Sequence, residues 1–244
     1  GGLRSTLRVT QEDWFIRDHQ VSGESIMPGV VSIEWIQQAM TQAFPVDKIA
    51  IGDHNWVQPV IVPSEGKILS LLVETGSGLG RYRIVSDEGG REVLYAQGNL
   101  KVLDASSLAS DAWPVAPSLD ALDEVFDQNS EGEAYYLEAA RNGFNYGSSL
   151  QSLQNIYWKR GESVGVLKID STAAKEFCFH PALLDGCLQV AGILYKVSGS
   201  REQAGAFPFT FRELVSFHPL SARSYVRVVI EDPQSETAAM SPNM

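Results

Sequence analysis

Proton transfer near neutral pH is the first chemistry to look for in this sequence, and imidazole is the side chain best suited to it. There are four histidines: His19, His54, His180 and His218. Taken singly, each is more often structural or solvated than catalytic. His19 stands apart by its setting in "RDHQVSGESIMPGVVSIEWIQQAM". Glycine and proline follow it, and a helix start is expected about nine residues on. Free N–H groups at such an end can hold a developing negative charge. Asp185 is the second candidate. It lies near the start of another expected helix, between Leu184 and Gly186. The helix dipole and free N–H groups favour its carboxylate. Burial in that apolar stretch favours the neutral acid, a proton donor. The two influences oppose each other, and the sequence leaves the outcome open.

Other chemistries fit less well. "DH" occurs at Asp18-His19 and Asp53-His54, but no HExxH or CxxC accompanies it, so a zinc site is not expected. "GSGLG" at 76–80 runs into the strand-like "RYRIV", which makes it a hairpin turn and not a phosphate loop. "GSSL" at 147–150 has no glycine after the serine and is no nucleophile elbow. Cys178 and Cys187 form no disulfide or metal framework. They fit a reducing compartment, so a cytoplasmic location is expected.

The elements that must position His19 and Asp185 follow from hydrophobic spacing. Pro28 opens a helix on which Val30, Ile33, Ile36, Met40 and Phe44 recur at helical intervals, and Pro45 stops it. "NWVQPVIVP", "KILSLLVET", "RYRIVSD" and "VLYAQGNLKVL" read as strands separated by turns such as "DEGG". Residues 106–130, rich in Ser, Asp, Ala and Pro, read as a linker with at most one weak helix in "LDALDEVF". A short helix in "EGEAYYLEAARNG" closes on Gly143. Strands follow in "SLQNIYWKR" and "SVGVLKID". A second strong helix, "HPALLDGCLQVAGILYKV", carries a Leu184, Leu188, Ala191, Leu194 stripe, and "AFPFTFRELVSFH" and "SYVRVVIED" are again strand-like. The order repeats: a histidine, a proline at a helix start, one buried helix, strands around it. An α+β fold of two similar modules is expected, residues 1–105 and 131–244, pairing as a symmetric dimer would.

The chain has 244 residues, a net charge of −11 and 44% hydrophobic residues. That acidity argues against a nucleic-acid groove or an anionic membrane surface as main partner. No apolar run approaches the roughly 18 residues of a membrane span. The beginning "GGLRST", without Met, suggests a piece of a longer polypeptide.

Three ordered motifs resemble those of polyketide synthase dehydratase domains. "HQVSGESIMPG" (His19, Gly23, Pro28, Gly29) is similar to their HxxxGxxxxP motif. "FNYGSSL" resembles the YGxxF type, with Tyr146 and Gly147 matching, although Ser148 and Leu150 replace the usual Pro and Phe. "HPALLDGCLQ" resembles HPxxLD followed by DxxxQ, with His180, Pro181, Leu184, Asp185 and Gln189 matching. The resemblance implies a double-hotdog fold, two helix-in-sheet modules fused as a pseudo-dimer. It implies a β-hydroxyacyl thioester substrate on the phosphopantetheine of an acyl carrier protein, and loss of water with no metal or other cofactor. It implies His19 as base, Asp185 as acid, Tyr146 and Gln189 as orienting groups, and the Gly29 N–H as donor to the thioester oxygen. His180 would shape the pocket, and Glu34, near the acid of single-hotdog relatives, would be structural. Partners would be the carrier protein, other synthase domains and a second copy of the chain. Arg81, Arg83, Lys159, Arg160 and Arg223 are candidates for a carrier-protein patch. Alternatives on the same fold are a double-bond isomerase, a pyran-forming cyclase or a non-catalytic scaffold.

Overall fold

Alternating aliphatic residues build the strands, and two apolar helices fill the hollows that the sheets leave. The computed structural model describes residues 2–44, 48–76, 79–103, 118–197 and 210–230. Its elements in chain order begin with β1 (Gly2–Val9), α1 (Trp14–Arg17), β2 (His19–Val21), β3 (Glu24–Met27) and α2 (Gly29–Ala43). Strands β4 (Ile49–Trp56), β5 (Val60–Ile61), β6 (Lys67–Thr75), β7 (Leu79–Glu88) and β8 (Arg91–Val102) complete the first half. The second half runs α3 (Leu119–Val125), β9 (Gln128–Glu131), α4 (Gly132–Arg141), β10 (Phe144–Tyr146), β11 (Leu153–Lys159), β12 (Glu162–Lys168), α5 (Pro181–Val197), β13 (Thr210–Val215) and β14 (Arg223–Val229).

Among the described residues the sheets have the orders β1-β6-β7-β8-β4-β13, β10-β2-β3-β5 and β14-β12-β11-β9, with every pair antiparallel. Helix α2 is buried on most sides. Its Ile33, Ile36 and Met40 pack with Leu69, Leu71, Ile84 and Leu100 of the six-stranded sheet. Each such fully buried aliphatic side chain is worth about 1.5–3 kcal/mol. Helix α5 packs on β12 and β14, and Leu153, Ile156, Leu167, Leu183 and Val190 form the second core. The β6–β7 register pairs Thr75 with Gly80, so the chain reverses there as a hairpin, although residues 77–78 lie outside the described part.

Three expectations need correction. Of the expected α5 stripe Leu184, Leu188, Ala191 and Leu194, only Leu194 is buried. The buried face also carries Leu183, Asp185, Gly186, Gln189 and Val190. Two glycines explain the rotation. A Cβ on Gly186 would stand 2.5 Å from the Ser152 hydroxyl, and one on Gly165 of β12 would collide with Val190, so helix and sheet meet closely at both points. The linker assigned to 106–130 is also too long. Residues 104–117 lie outside the described part, but Ser118 caps α3, and Leu122 and Phe126 are buried against Tyr157, Val164 and Val166. Finally, "NWVQPVIVP" is not one strand: β4 starts earlier, at Ile49, and Pro59 separates it from β5.

Strands of the second half also join sheets of the first. β13 pairs with β4, and β10 pairs with β2. The second pairing brings the motif around Tyr146 against the motif around His19.

Candidate active site

The first motif is a hairpin that runs into a helix. Val21 pairs with Glu24 across a two-residue turn, in which Ser22 and Gly23 have φ of 52° and 85°. Both positive angles match the I′ geometry that suits the twist of paired strands, and glycine adopts it without cost. The hairpin aligns His19 with Ile26, and His19 Nδ1 lies 2.8 Å from the Ile26 carbonyl oxygen. A carbonyl can only accept, so Nδ1 carries a proton, and in the neutral ring the lone pair is on Nε2. His19 is buried.

Pro28 then ends β3 and caps α2. The Gly29 N–H, at the first helical position, has no partner within the helix. Glycine is also demanded here by packing. The Trp56 indole occupies the place of a Cβ, and its Nε1–H donates to the Gly29 carbonyl at 3.1 Å.

The second motif faces the first. In the β10–β2 register Tyr146 stands opposite His19, with ring centroids 5.7 Å apart and an edge-on arrangement. Gly147 N–H donates to the Asp18 carbonyl at 2.8 Å. The Asp18 carboxylate accepts from Ser149 N–H at 3.1 Å and from the Ser149 hydroxyl at 2.5 Å. A side chain at Gly147 would overlap Asp18. Asp18 thus ties the strand of His19 to the 3₁₀ turn Ser148–Leu150 that follows Tyr146. Ser148 and Leu150, which depart from the usual pattern, leave that turn intact, because the clamp uses Ser149 and backbone. Arg17 and Ser149 together hold the Asp18 carboxyl below its ordinary range against the opposing effect of burial.

The third motif carries Asp185. His180 Nδ1 accepts from Ala182 N–H at 3.2 Å, capping α5 at Pro181. The ring stacks on Trp14 at 5.4 Å, and burial lowers its pKa to about 4. It is a neutral structural cap. Asp185, one turn on, is buried, and that burial raises its pKa, only partly offset by the charge on His19 and a bond from Gln189. Of the two influences set against each other in the sequence, desolvation is the larger, and it favours the protonated form of Asp185. His19 and Asp185 are near enough for the charge of one to act on the other. Tyr146, edge-on to His19, also senses the Asp185 charge, and its hydroxyl is hydrogen-bonded with Tyr135. Gln189 Nε2 donates to Asp185 Oδ2 at 2.7 Å. Leu184 packs toward the core of the first half.

Glu34 does not join this group. It is buried on α2 and accepts from Cys178 N–H at 3.1 Å, Phe179 N–H at 2.6 Å and Gln38 at 2.8 Å. It braces the segment that leads into α5. Burial is the largest influence on it and raises its pKa. His54 lies fully buried between Trp56 and Phe211, hydrogen-bonded to the Tyr82 hydroxyl. A shallow cleft of about 500 Å³ lies over β6, β7 and β8, lined in part by Glu74, Arg81, Arg83 and Asn99. None of the residues that line it belongs to the site. Of the basic candidates, Arg83 is paired with Glu92 on β8, whereas Lys159 pairs with Glu162 in the other module. Among the described residues no three His, Cys, Asp or Glu side chains gather as a metal site, and no helix is long and apolar enough to cross a membrane.

Asp18, Ser149 and Tyr136 were not singled out from the sequence. Asp18 and Ser149 are 131 residues apart in sequence, and Tyr136 sits in a helix that reads as merely amphipathic. No local signal marks either relation.

Comparison with known proteins agrees with this arrangement. Residues 1–87 match the family described as "Polyketide synthase dehydratase domain", and residues 114–241 match "Polyketide synthase dehydratase N-terminal domain". Polyketide synthase PksN of Bacillus subtilis (strain 168) is 27% identical over 236 residues, which is 89% of this chain but 4% of that synthase. The crystal structure of a trans-AT polyketide synthase dehydratase domain from Brevibacillus brevis superposes with a TM-score of 0.83 at 23% identity, covering 97% of this chain and 84% of that one. The dehydratase of the CurK module of curacin polyketide synthase superposes at 0.81 with 18% identity, covering 95% and 83% of the two chains. Two inactive mutants of the CurK dehydratase have known structures, one with a histidine changed to phenylalanine and one with an aspartate changed to asparagine. The fold is the double hotdog, and with both family profiles satisfied across the two halves, the chain belongs to the polyketide synthase dehydratase domains.

Proposed function

We propose that this chain removes water from a β-hydroxyacyl thioester, carried on the phosphopantetheine arm of an acyl carrier protein, to give an α,β-enoyl thioester in polyketide assembly. The observation that carries the reading is the complementary state of the pair. His19 has its Nδ1 proton committed to Ile26, which leaves Nε2 as the basic nitrogen of the neutral ring, while burial of Asp185 favours its protonated form. Nε2 takes the α-proton. The charge that grows on the thioester oxygen is met by the Gly29 N–H at the start of α2, an effect of the kind worth about 3–4 kcal/mol in other enzymes. The β-carbon–oxygen bond then breaks as Asp185 delivers its proton, and hydroxyl leaves as water. The resulting imidazolium and carboxylate attract each other until protons exchange with water and the pair resets. No cofactor of the chain's own takes part. Tyr146 and Gln189 orient the acid. That a histidine and an aspartate substitution each inactivate the CurK dehydratase supports the same pair here. Other domains of a synthase, a carrier protein and a second copy of the chain are the expected partners.

The test is turnover of a β-hydroxyacyl thioester surrogate followed by mass. Loss of 18 mass units, about that of one water, identifies dehydration. NMR of the product separates an alkene from a closed ring. His19→Ala and Asp185→Asn each fold and lose most of the turnover, by a factor of about 10² or more. Near wild-type turnover in either variant removes that residue from its role.

A further inference from the structure

Behind the acid lies a hydrogen-bond chain whose direction is set by the backbone. Leu153 N–H donates to the Tyr136 hydroxyl oxygen at 3.0 Å. Tyr136 then has one proton to give, and Gln189 Oε1 is 3.1 Å away, against 3.5 Å for the Leu150 carbonyl. The nearby Ser152 hydroxyl spends its own proton on the Ala182 carbonyl at 2.7 Å. With Oε1 occupied as an acceptor, the Gln189 amide presents Nε2–H to Asp185 Oδ2 at 2.7 Å. An oxygen that accepts from an amide N–H does not also hold the acid proton on that side. A backbone N–H cannot be turned round, so neither can the sequence of donors that starts from it.

We propose that Tyr136 is a positioning residue that fixes which oxygen of Asp185 bears the transferable proton, placing it on Oδ1 and away from Gln189. The proposal rests on the dehydratase reading for its kinetic consequence but not for its structural one. Without the Tyr136 hydroxyl, the Gln189 amide is free to turn. Its carbonyl then faces Asp185, captures the acid proton on Oδ2, and withholds it from substrate. The groups that face Asp185 are His19 on β2, Tyr135 and Tyr136 on α4, Tyr146 on β10, and Cys187 and Gln189 on α5. The His19 ring is pinned by its bond to the Ile26 carbonyl, which leaves the amide as the group whose donor and acceptor faces can trade places.

The experiment compares Tyr136→Phe, Gln189→Met and the double variant. Tyr136→Phe is expected to lower kcat about tenfold with KM within about twofold, and to move the alkaline limb of the pH–rate profile upward, because the turned amide favours the protonated acid. In the Gln189→Met background the same change has no further effect, since Tyr136 acts only through the amide. Independent, multiplying effects of the two substitutions, or an unmoved alkaline limb, overturn the proposal. A readout independent of turnover is the infrared band of the protonated Asp185 carboxyl, isolated as the difference from Asp185→Asn. It moves to higher wavenumber in Tyr136→Phe as its carbonyl loses the Gln189 donor. An unchanged band in a folded variant defeats the proposal even if the surrogate is never turned over. A moved band without turnover defeats the dehydratase reading alone.

Discussion

Burial favours the protonated form of Asp185, the form the proposed chemistry needs, and this carries a cost that stability measurements can detect. Its folded pKa is raised above the ordinary 3.8. The unfolded chain therefore releases that proton at lower pH than the folded chain does. Stability falls as pH climbs from about 4 toward the folded pKa, and the full loss is present above it. Asp185→Asn keeps the shape and the bond from Gln189 while removing the proton. Its thermal midpoint at pH 8 is expected to match or exceed that of the wild type although turnover is lost, which scanning calorimetry checks. A midpoint several degrees lower at that pH contradicts a desolvated acid. The burial of this residue was legible: its apolar neighbours and the motif around it marked Asp185 as a candidate, and it is buried. The balance between helix-end stabilisation and burial was not, because it depends on which groups reach the carboxyl from β2 and α4.

At the scale of elements, the site depends on two close approaches that hydrophobic periodicity does not register. One is the clamp between Asp18 at the start of β2 and the turn after β10. Gly147→Ala drives a methyl group into the Asp18 carboxyl, and the crowding is expected to cost about 1–3 kcal/mol. Asp18→Asn keeps the volume but weakens the bonds from Ser149 N–H and hydroxyl. Its effect on stability is expected to be smaller than that of Gly147→Ala, with turnover lowered as Tyr146 loses its register against His19. Urea unfolding and surrogate kinetics on the two variants check the order. The other approach is α5 on β12. Leucine spacing pointed to the wrong face because glycine carries no apolar weight and Asp185 and Gln189 look like solvent-facing residues. In the fold, Gly186 and Gly165 admit the contact, and the polar pair faces a site. Strands were read correctly by type in most places, but not by partner. β-branched composition says that a segment pairs, and long-range topology decides that β13 joins β4 and β10 joins β2.

For the whole molecule, the repeated order of histidine, proline, helix and strands anticipated two helix-in-sheet units, and the strands that the second half adds to sheets of the first make them interdependent. Two buried imidazoles record that dependence. His54 is fully enclosed and stacked on Phe211 of β13 from the second half, and His180 caps α5 while stacked on Trp14 from the first. Burial lowers both from 6.5 to about 4. Both are neutral in the fold, so their contribution is fully present above pH 6.5. Between 6.5 and about 4 the unfolded chain takes up protons that the folded chain refuses, and stability falls as pH falls. The slope of unfolding free energy against pH in that window is expected to approach two protons from this pair. Carboxylates with raised pKa values, Asp185 and Glu34, act in the opposite sense. His180→Asn separates the contributions. Asparagine can still cap α5 through its side-chain oxygen, but it cannot titrate. Urea unfolding of this variant between pH 4 and 7 is expected to show a slope shallower by about one proton, with stability lower at pH 7 from the lost stacking on Trp14. An unchanged acid slope would mean that His180 accepts its proton without leaving the fold, and that the two halves are not held together through a neutral imidazole.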